Sequence, residues 1–156
     1  MVTQRLDEPL PAGRLSYGHY RTIHRHIFGD VYAWAGRIQT VRISKGNSMF
    51  CYPEHIDGEM RRLFAELRED NLFRNLNARS FANKAAHFLS ELNAVHPFRE
   101  GNGRAQLALL AVMGQAAGHG MDFERMEPAR MLTAVIQSFA EDEKPLADAI
   151  HGLIET

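Results

Sequence analysis

The chain has 156 residues, 45% hydrophobic and 24% charged, which is the balance of one globular domain long enough to bury its own core. A formal net charge of −1 argues against a nucleic-acid partner, because binding a phosphate backbone ordinarily needs a basic excess. The lone cysteine, Cys51, excludes an internal disulfide framework and fits a reducing, cytoplasmic setting, and no apolar run is long enough to span a membrane.

The opening MVTQRLDEPLPAG has no signal-peptide core and reads as a lead-in marked by proline and glycine. Tyr20, Ile23, His24 and Ile27 recur at helical spacing, so a helix is expected from near Ser16 to near Gly29. One stretch has strand character. Val41 and Ile43 alternate with Arg42 and Ser44, and Lys45-Gly46-Asn47 supplies turn chemistry before Met49 to Tyr52, which predicts a small hairpin. Ile56, Met60, Leu63, Phe64 and Leu67 mark the apolar face of a second helix. Phe81, Ala85, Phe88, Leu92 and Val95 mark a third, which runs straight into His96. From Ala105 to Ala117 the pattern is apolar almost all round, as in a buried central helix, and GHGMDF breaks it. Met131, Leu132, Val135 and Phe139, then Leu146, Ile150 and Leu153, mark two more helices. With no repeat, low-complexity tract or linker, residues 1–156 read as a single mostly α domain with its core at about 17–140.

The stretch HPFREGNGRAQL, His96 to Leu107, interrupts core on both sides and carries the chemistry. Pro97 disfavours helical geometry at His96, so the third helix should stop there and fix the imidazole at its terminus. Glycines on either side of Asn102 open backbone conformations closed to other residues and let successive N–H groups form an anion nest. A helix expected to start at Gly103 or Arg104 would aim its free N–H groups and dipole at the same place. Arg104 adds a forked cation suited to phosphate, Asn102 a donor to a phosphate oxygen, and Glu100 a carboxylate for a magnesium ion bridging phosphates. His96 is then placed to act as a general base. The helix terminus favours its charged form while neighbouring cations favour the neutral one, and the sequence leaves that balance open.

His96, Phe98, Glu100, Gly101, Asn102, Gly103 and Arg104 reproduce the signature H-x-F-x-D/E-G-N-G-R, and on these residues the chain resembles the Fic-domain family. IHRHIFGDVYAWAGRIQTVRISKGNSMFCYPEHI also looks like that family's first helix and flap, so the resemblance runs from about Tyr17 to past Gly118. It implies the Fic fold, a helical bundle with an inserted β-hairpin flap at about residues 37–52. It also implies a protein adenylyltransferase that moves AMP from ATP, with Mg2+, to a Ser, Thr or Tyr hydroxyl of a target protein. Under that resemblance His96 deprotonates the hydroxyl, Phe98 anchors the loop and Glu100 serves Mg2+. Gly101, Asn102, Gly103 and Arg104 hold the phosphates. Ser44, Lys45, Gly46, Asn47, Ser48 and Met49 form the flap that docks the target segment by backbone pairing.

One position departs from the pattern. The family usually carries a second arginine where this chain has Leu107, and its loss removes a charge-assisted contact worth about 1.5–3 kcal/mol in general. Two other readings therefore stand beside adenylyl transfer. One is a kinase like the death-on-curing branch, which lacks that arginine and moves the γ-phosphate, though that branch usually has lysine where Gly103 stands. The other is a degenerate Fic-shaped module that binds nucleotide or a partner. Self-inhibited members of the family carry S/T-x-x-x-E-G/N. No Ser or Thr here is followed four places later by Glu, and Ser138 meets Asp142. Inhibition is then expected from a separate small antitoxin-like protein. A Fic domain of this size can be a free toxin or part of a longer effector secreted into a host cell, and the sequence does not choose.

Other features have plainer readings. Trp34, Phe64 and Phe88 are expected in the core, Cys51 as a small hydrophobe, and Arg61 and Arg62 on a solvated helix face. His19, His24, His26 and His87 show no zinc-site spacing. No other phosphate-binding motif is present.

Overall fold

Ser16 opens the first helix, its hydroxyl accepting the N–H of His19 at 3.1 Å, and Gly29 closes it. The computed structural model describes residues 10–40, 44–45, 48–49, 52–139 and 142–155. Within them the chain is mostly helical. The α-helices are α1 (Tyr17–Phe28), α2 (Pro53–Glu69), α3 (Ala78–Val95), α4 (Asn102–Ala116), α5 (Pro128–Phe139) and α6 (Lys144–Leu153). Two short strands, β1 (Ser44–Lys45) and β2 (Ser48–Met49), pair antiparallel between α1 and α2, with Ser44 opposite Met49 and Lys45 opposite Ser48. The expected strand and turn residues Val41, Arg42, Ile43, Gly46 and Asn47 lie outside the described residues, as does Cys51. The same holds for the side chains of Leu132 and Phe139 in α5.

The apolar stripes read from the sequence are the buried faces. Ile56, Met60, Leu63, Phe64 and Leu67 of α2 are buried, as are Phe81, Ala85, Phe88, Leu92 and Val95 of α3 and Leu146, Ile150 and Leu153 of α6. The central place belongs to α3 rather than to α4. It packs along α6 most extensively and also against α2, α4 and α5, while α1 lies on α4 and α2. α4 is buried along Ala105, Ala108, Leu109, Leu110 and Met113, but Leu107, Ala111 and Val112 are only half-buried. Its apolar sequence overstates its enclosure, because Leu107 and Ala111 face a surface cavity instead of another helix.

Aromatic rings connect these layers. Phe98 of the motif loop lies 5.3 Å from the ring of Tyr20 in α1, Tyr20 lies 5.9 Å from Phe64 in α2, and Phe64 meets Phe88 of α3 edge-on at 5.3 Å. Such pairs favour tilted and edge-on geometry, which fixes ring orientation along the series. Between α2 and α3 the backbone makes a left-handed turn at Asn71, Leu72 and Phe73, with φ of 56°, 56° and 60°. That conformation costs a non-glycine residue roughly 1–2 kcal/mol. Here it buries Phe73 edge-on to Phe88 at 6.3 Å.

Gly114 near the end of α4 lets the following loop fold back on the helix. The His119 N–H donates to the Gly114 carbonyl at 2.8 Å, and Asp122 and Glu155 then exchange backbone bonds with Leu153 and Gly120. A Cβ at Gly114 would lie 2.7 Å from the His119 carbonyl oxygen, a backbone atom that cannot swing aside. Gly114→Ala should therefore destabilise the fold by about 1–3 kcal/mol, lowering the thermal midpoint by roughly 2–10 °C in a melting experiment.

Candidate active site

The loop from His96 to Gly101 is shaped by what each residue does to the backbone. α3 ends at Val95. His96 adopts a left-handed conformation (φ 52°, ψ 63°) and still donates its N–H to the Leu92 carbonyl. Pro97 bars the continuation of the helix, as the sequence leads one to expect. Phe98 then plunges into the core, fully buried. Asn102 closes the loop on itself: its Oδ1 accepts the Phe98 N–H at 3.0 Å and its Nδ2 donates to the Phe98 carbonyl at 2.7 Å.

That closure changes the expected role of Asn102. It is buried, and both polar atoms of its side chain are engaged with Phe98, so it shapes the loop rather than reaching outward to a phosphate. Of the two glycines, Gly101 meets the expectation and Gly103 does not. Gly101 has φ +81°, and a Cβ there would lie 2.4 Å from the Phe28 ring, so only glycine fits. Gly103 sits in ordinary helical geometry, exposed, with nothing within 4 Å of where a Cβ would be. It leaves open space beside the helix rather than enabling a special turn.

The start of α4, like those of α2 and α6, has no side-chain cap. The helix begins at Asn102, one residue ahead of the expected start, and its first intrahelical bond runs from Ala105 N–H to the Gly101 carbonyl at 3.0 Å. The N–H groups of Asn102, Gly103 and Arg104 precede that bond. α1 and α3 are capped by Ser16 and Asn77, whereas the cap of α4 is Gly101, which offers no side-chain acceptor. The left-handed Gly101 followed by a helical residue is the backbone pattern of an anion nest. Arg104 projects from this first turn and is exposed, as is Glu100. The Tyr32 hydroxyl donates to Glu100 Oε2 at 2.9 Å, and this bond holds the phenol above its ordinary pKa, with Arg104 pulling the other way.

Three residues whose part in this loop the sequence does not show hold it in place. His24 is fully buried on α1. Its Nε2 meets the Glu100 carbonyl at 2.9 Å, its Nδ1 accepts the Gly36 N–H at 3.0 Å, and its ring stacks on Phe98 at 3.8 Å. Accepting at Nδ1 and donating at Nε2 requires the neutral imidazole. Arg21 grips the other side of the same peptide turn, its Nε donating to the Gly36 carbonyl at 2.8 Å. Gln39 binds the opposite end of the loop, its N–H going to Pro97 O at 2.9 Å and its Nε2 to His96 O at 2.7 Å. Trp34, expected in the core, is half-buried and stacks on Tyr32 at 4.4 Å beside the loop. Spacing alone gives no sign of these bonds, since most of them run from side chains to backbone atoms.

A cavity of about 290 Å3 opens beside the start of α4, with Gly103, Arg104, Leu107, Leu110, Met126 and Met131 among its walls. A second, of about 300 Å3, shares Arg104, Leu107 and Met126. Leu107 thus puts an apolar side chain between two hollows at the position of the usual second arginine. Among the described residues no cluster of three or more His, Cys, Asp or Glu could hold a metal ion unaided.

Residues 14–113 match the model of the Fic/DOC family. The chain belongs to that family. It is 49% identical over 155 residues to the probable protein adenylyltransferase y4lH of Sinorhizobium fredii, covering 99% of this chain and 81% of that protein. It is 37% identical over 128 residues to the protein adenylyltransferase VbhT of Bartonella schoenbuchensis, covering 82% of this chain but 27% of VbhT. Among solved structures, the N-terminal Fic domain of a VirB-translocated Bep effector protein from Bartonella quintana, with bound ADP, superposes with a TM-score of 0.93 at 25% identity. That match covers 99% of this chain and 81% of the other. BepC of Bartonella tribocorum, with bound AMPPNP, superposes with a TM-score of 0.85 at 26% identity, covering 99% and 80%.

In this Fic/DOC chain the grip of His24 on the motif loop depends on pH. Burial pushes its pKa below the ordinary 6.5, with the Glu100 carbonyl opposing in smaller measure. The unfolded chain therefore binds the extra proton. The stabilisation is complete above about pH 6.5 and is lost as pH falls through the depressed folded value. Chemical denaturation between about pH 7.5 and pH 5 should show stability falling with pH, and His24→Gln, which cannot protonate, should fall less steeply over that window.

Proposed function

We propose that the chain is a protein adenylyltransferase, transferring AMP from ATP, with Mg2+, to a Ser, Thr or Tyr hydroxyl of another protein. The observation that carries this reading is the start of α4: uncapped amides, a left-handed glycine nest and an exposed Arg104, all within eight residues of a histidine held at a helix end. Amides and dipole of that kind favour a polyanion. The relatives named as adenylyltransferases and the Fic structures with ADP and AMPPNP support a nucleotide as that polyanion.

In this reading Gly101, Asn102 and Gly103 offer backbone N–H groups to the phosphates, and Arg104 adds a guanidinium. His96 takes the proton of the target hydroxyl as its oxygen bonds to the α-phosphorus and the bond to pyrophosphate breaks. Glu100 fits a magnesium site. It is one exposed carboxylate, with no metal-binding cluster around it among the described residues, which suits an ion that completes its shell with phosphate oxygens and water. Bound there, Mg2+ would neutralise charge on the phosphates, and Tyr32 would keep the Glu100 carboxylate directed. Leu107 leaves the grip on the nucleotide to Arg104 and the α4 amides.

The flap belongs to the same reading. Ser44–Lys45 and Ser48–Met49 would present a strand edge to the target segment, recognising it by main-chain bonds, with Gly46 and Asn47, outside the described residues, counted to the same docking segment. Regulation would come from a separate small antitoxin-like protein, since the sequence lacks an inhibitory S/T-x-x-x-E motif of its own. A stoichiometric small partner that copurifies with the chain and restrains labelling would bear this out; full, unrestrained activity in its presence would count against it.

Incubation with whole-cell lysate and either α- or γ-labelled ATP tests the reaction itself. Label from the α-phosphate should enter target protein, label from the γ-phosphate should not, and His96→Ala should reduce incorporation by about 10²-fold or more. Transfer of γ-label instead would establish the kinase reading. Nucleotide binding without any transfer would establish a binding module.

A further inference from the structure

We propose that Gln39 is a positioning residue for His96, setting the direction of the imidazole through the backbone. The proposal rests on the reading of His96 as the base. His96 is left-handed without being glycine, a conformation that is unstable unless its surroundings enforce it. Its own N–H is held by Leu92 behind it. Its carbonyl, whose orientation is what distinguishes a left-handed residue from a helical one at this point, is held by Gln39 Nε2 at 2.7 Å. The next carbonyl, of Pro97, is held by the Gln39 N–H at 2.9 Å. One buried residue therefore fixes two consecutive peptide planes directly after the histidine.

The amide can do this in one orientation only. Turned over, it would set Oε1 against the His96 carbonyl oxygen, two acceptors face to face. Gln39 is buried, so water does not substitute freely for the lost donor. Gln39 touches neither the α4 amides nor Arg104, Glu100 or Asn102 in any of its bonds. Its side-chain amide therefore acts on the His96 carbonyl alone, and a substitution of that side chain leaves the backbone bond to Pro97 in place. It also stands five residues before β1, so the segment that fixes the His96 backbone leads directly into the strand pair.

Gln39→Met keeps the length of the side chain and removes the donor, and Gln39→Glu keeps its shape and places an acceptor where the donor was. Two measurements are made on each that folds. The first is NMR of ¹⁵N-histidine-labelled protein without nucleotide, with His96→Ala assigning the His96 ring signals. Those signals should move in both variants while those of His87, on the far side of α3, stay in place. The second is adenylyl-transfer kinetics, where kcat should fall about tenfold to a hundredfold with the nucleotide KM within about twofold. Ring signals that coincide with the parent's in the folded variants overturn the proposal whatever the rates. So does a loss that falls on nucleotide KM with kcat intact. If the parent transfers no label and the ring signals still move, positioning by Gln39 is upheld and the adenylyl-transfer reading is what fails.

Discussion

A neutral imidazole ties the motif loop to the first helix and to the peptide turn at Gly36. His24 accepts from Gly36 on one edge, faces the Glu100 carbonyl on the other, and lays its ring against Phe98. No other side chain offers an acceptor and a donor at opposite edges of a flat ring with two faces free for stacking. Glutamine could supply both polar groups, but it would not fill the space above Phe98. The ring is buried and uncharged, so its bonds are made in a medium of low polarity, where each is strong and the loss of either partner is costly. This explains how a loop that ends on a left-handed glycine can hold one geometry.

The loop divides its residues between holding and presenting. Phe98, Gly101 and Asn102 face inward: a ring in the core, a glycine against Phe28, an amide closed on the backbone. Glu100, Gly103 and Arg104 face outward. The inward set leaves few ways for the chain to move, and the outward set inherits that rigidity without contributing to it. Preorganisation of this kind matters most for charge. Amides that are already aimed need not reorient when an anion arrives, and so their full electrostatic effect is available to it.

Much of this was legible in the sequence, and the remainder was hidden for identifiable reasons. Helices announce themselves by period, so the buried faces of α2, α3 and α6 could be read position by position. The motif loop announced itself by an improbable run of polar and glycine residues between two apolar helices. The segment from Gly29 to Thr40 could not be read, because it is held by bonds from His24, Arg21 and Gln39 to backbone atoms, and such bonds leave no pattern. The side chain of Asn102 reads two ways in the sequence for a related reason: an amide that can bind a ligand can equally bind its own chain, and only burial separates the two. Trp34 looked like core by composition, yet its stacking partners Tyr32 and His24 keep it at the edge of the loop.

The bonds that enclose the loop share a further property. His24 and Gln39 take hold of the carbonyls of Glu100, His96 and Pro97, and these acceptors exist whatever side chains those residues carry. The clasp from α1 to Gln39 is therefore blind to the loop's own chemistry. Exposed positions such as Glu100 and Arg104 can vary in charge without loosening the frame, whereas a change at His24 or Gln39 alters the frame and leaves the outward chemistry intact. Substitution of an outward residue should then be felt in binding and rate with stability preserved. Gln39 takes hold of the loop at His96 and His24 takes hold of it at Glu100, and so the residues that fix the two ends of the loop lie far from it in the sequence.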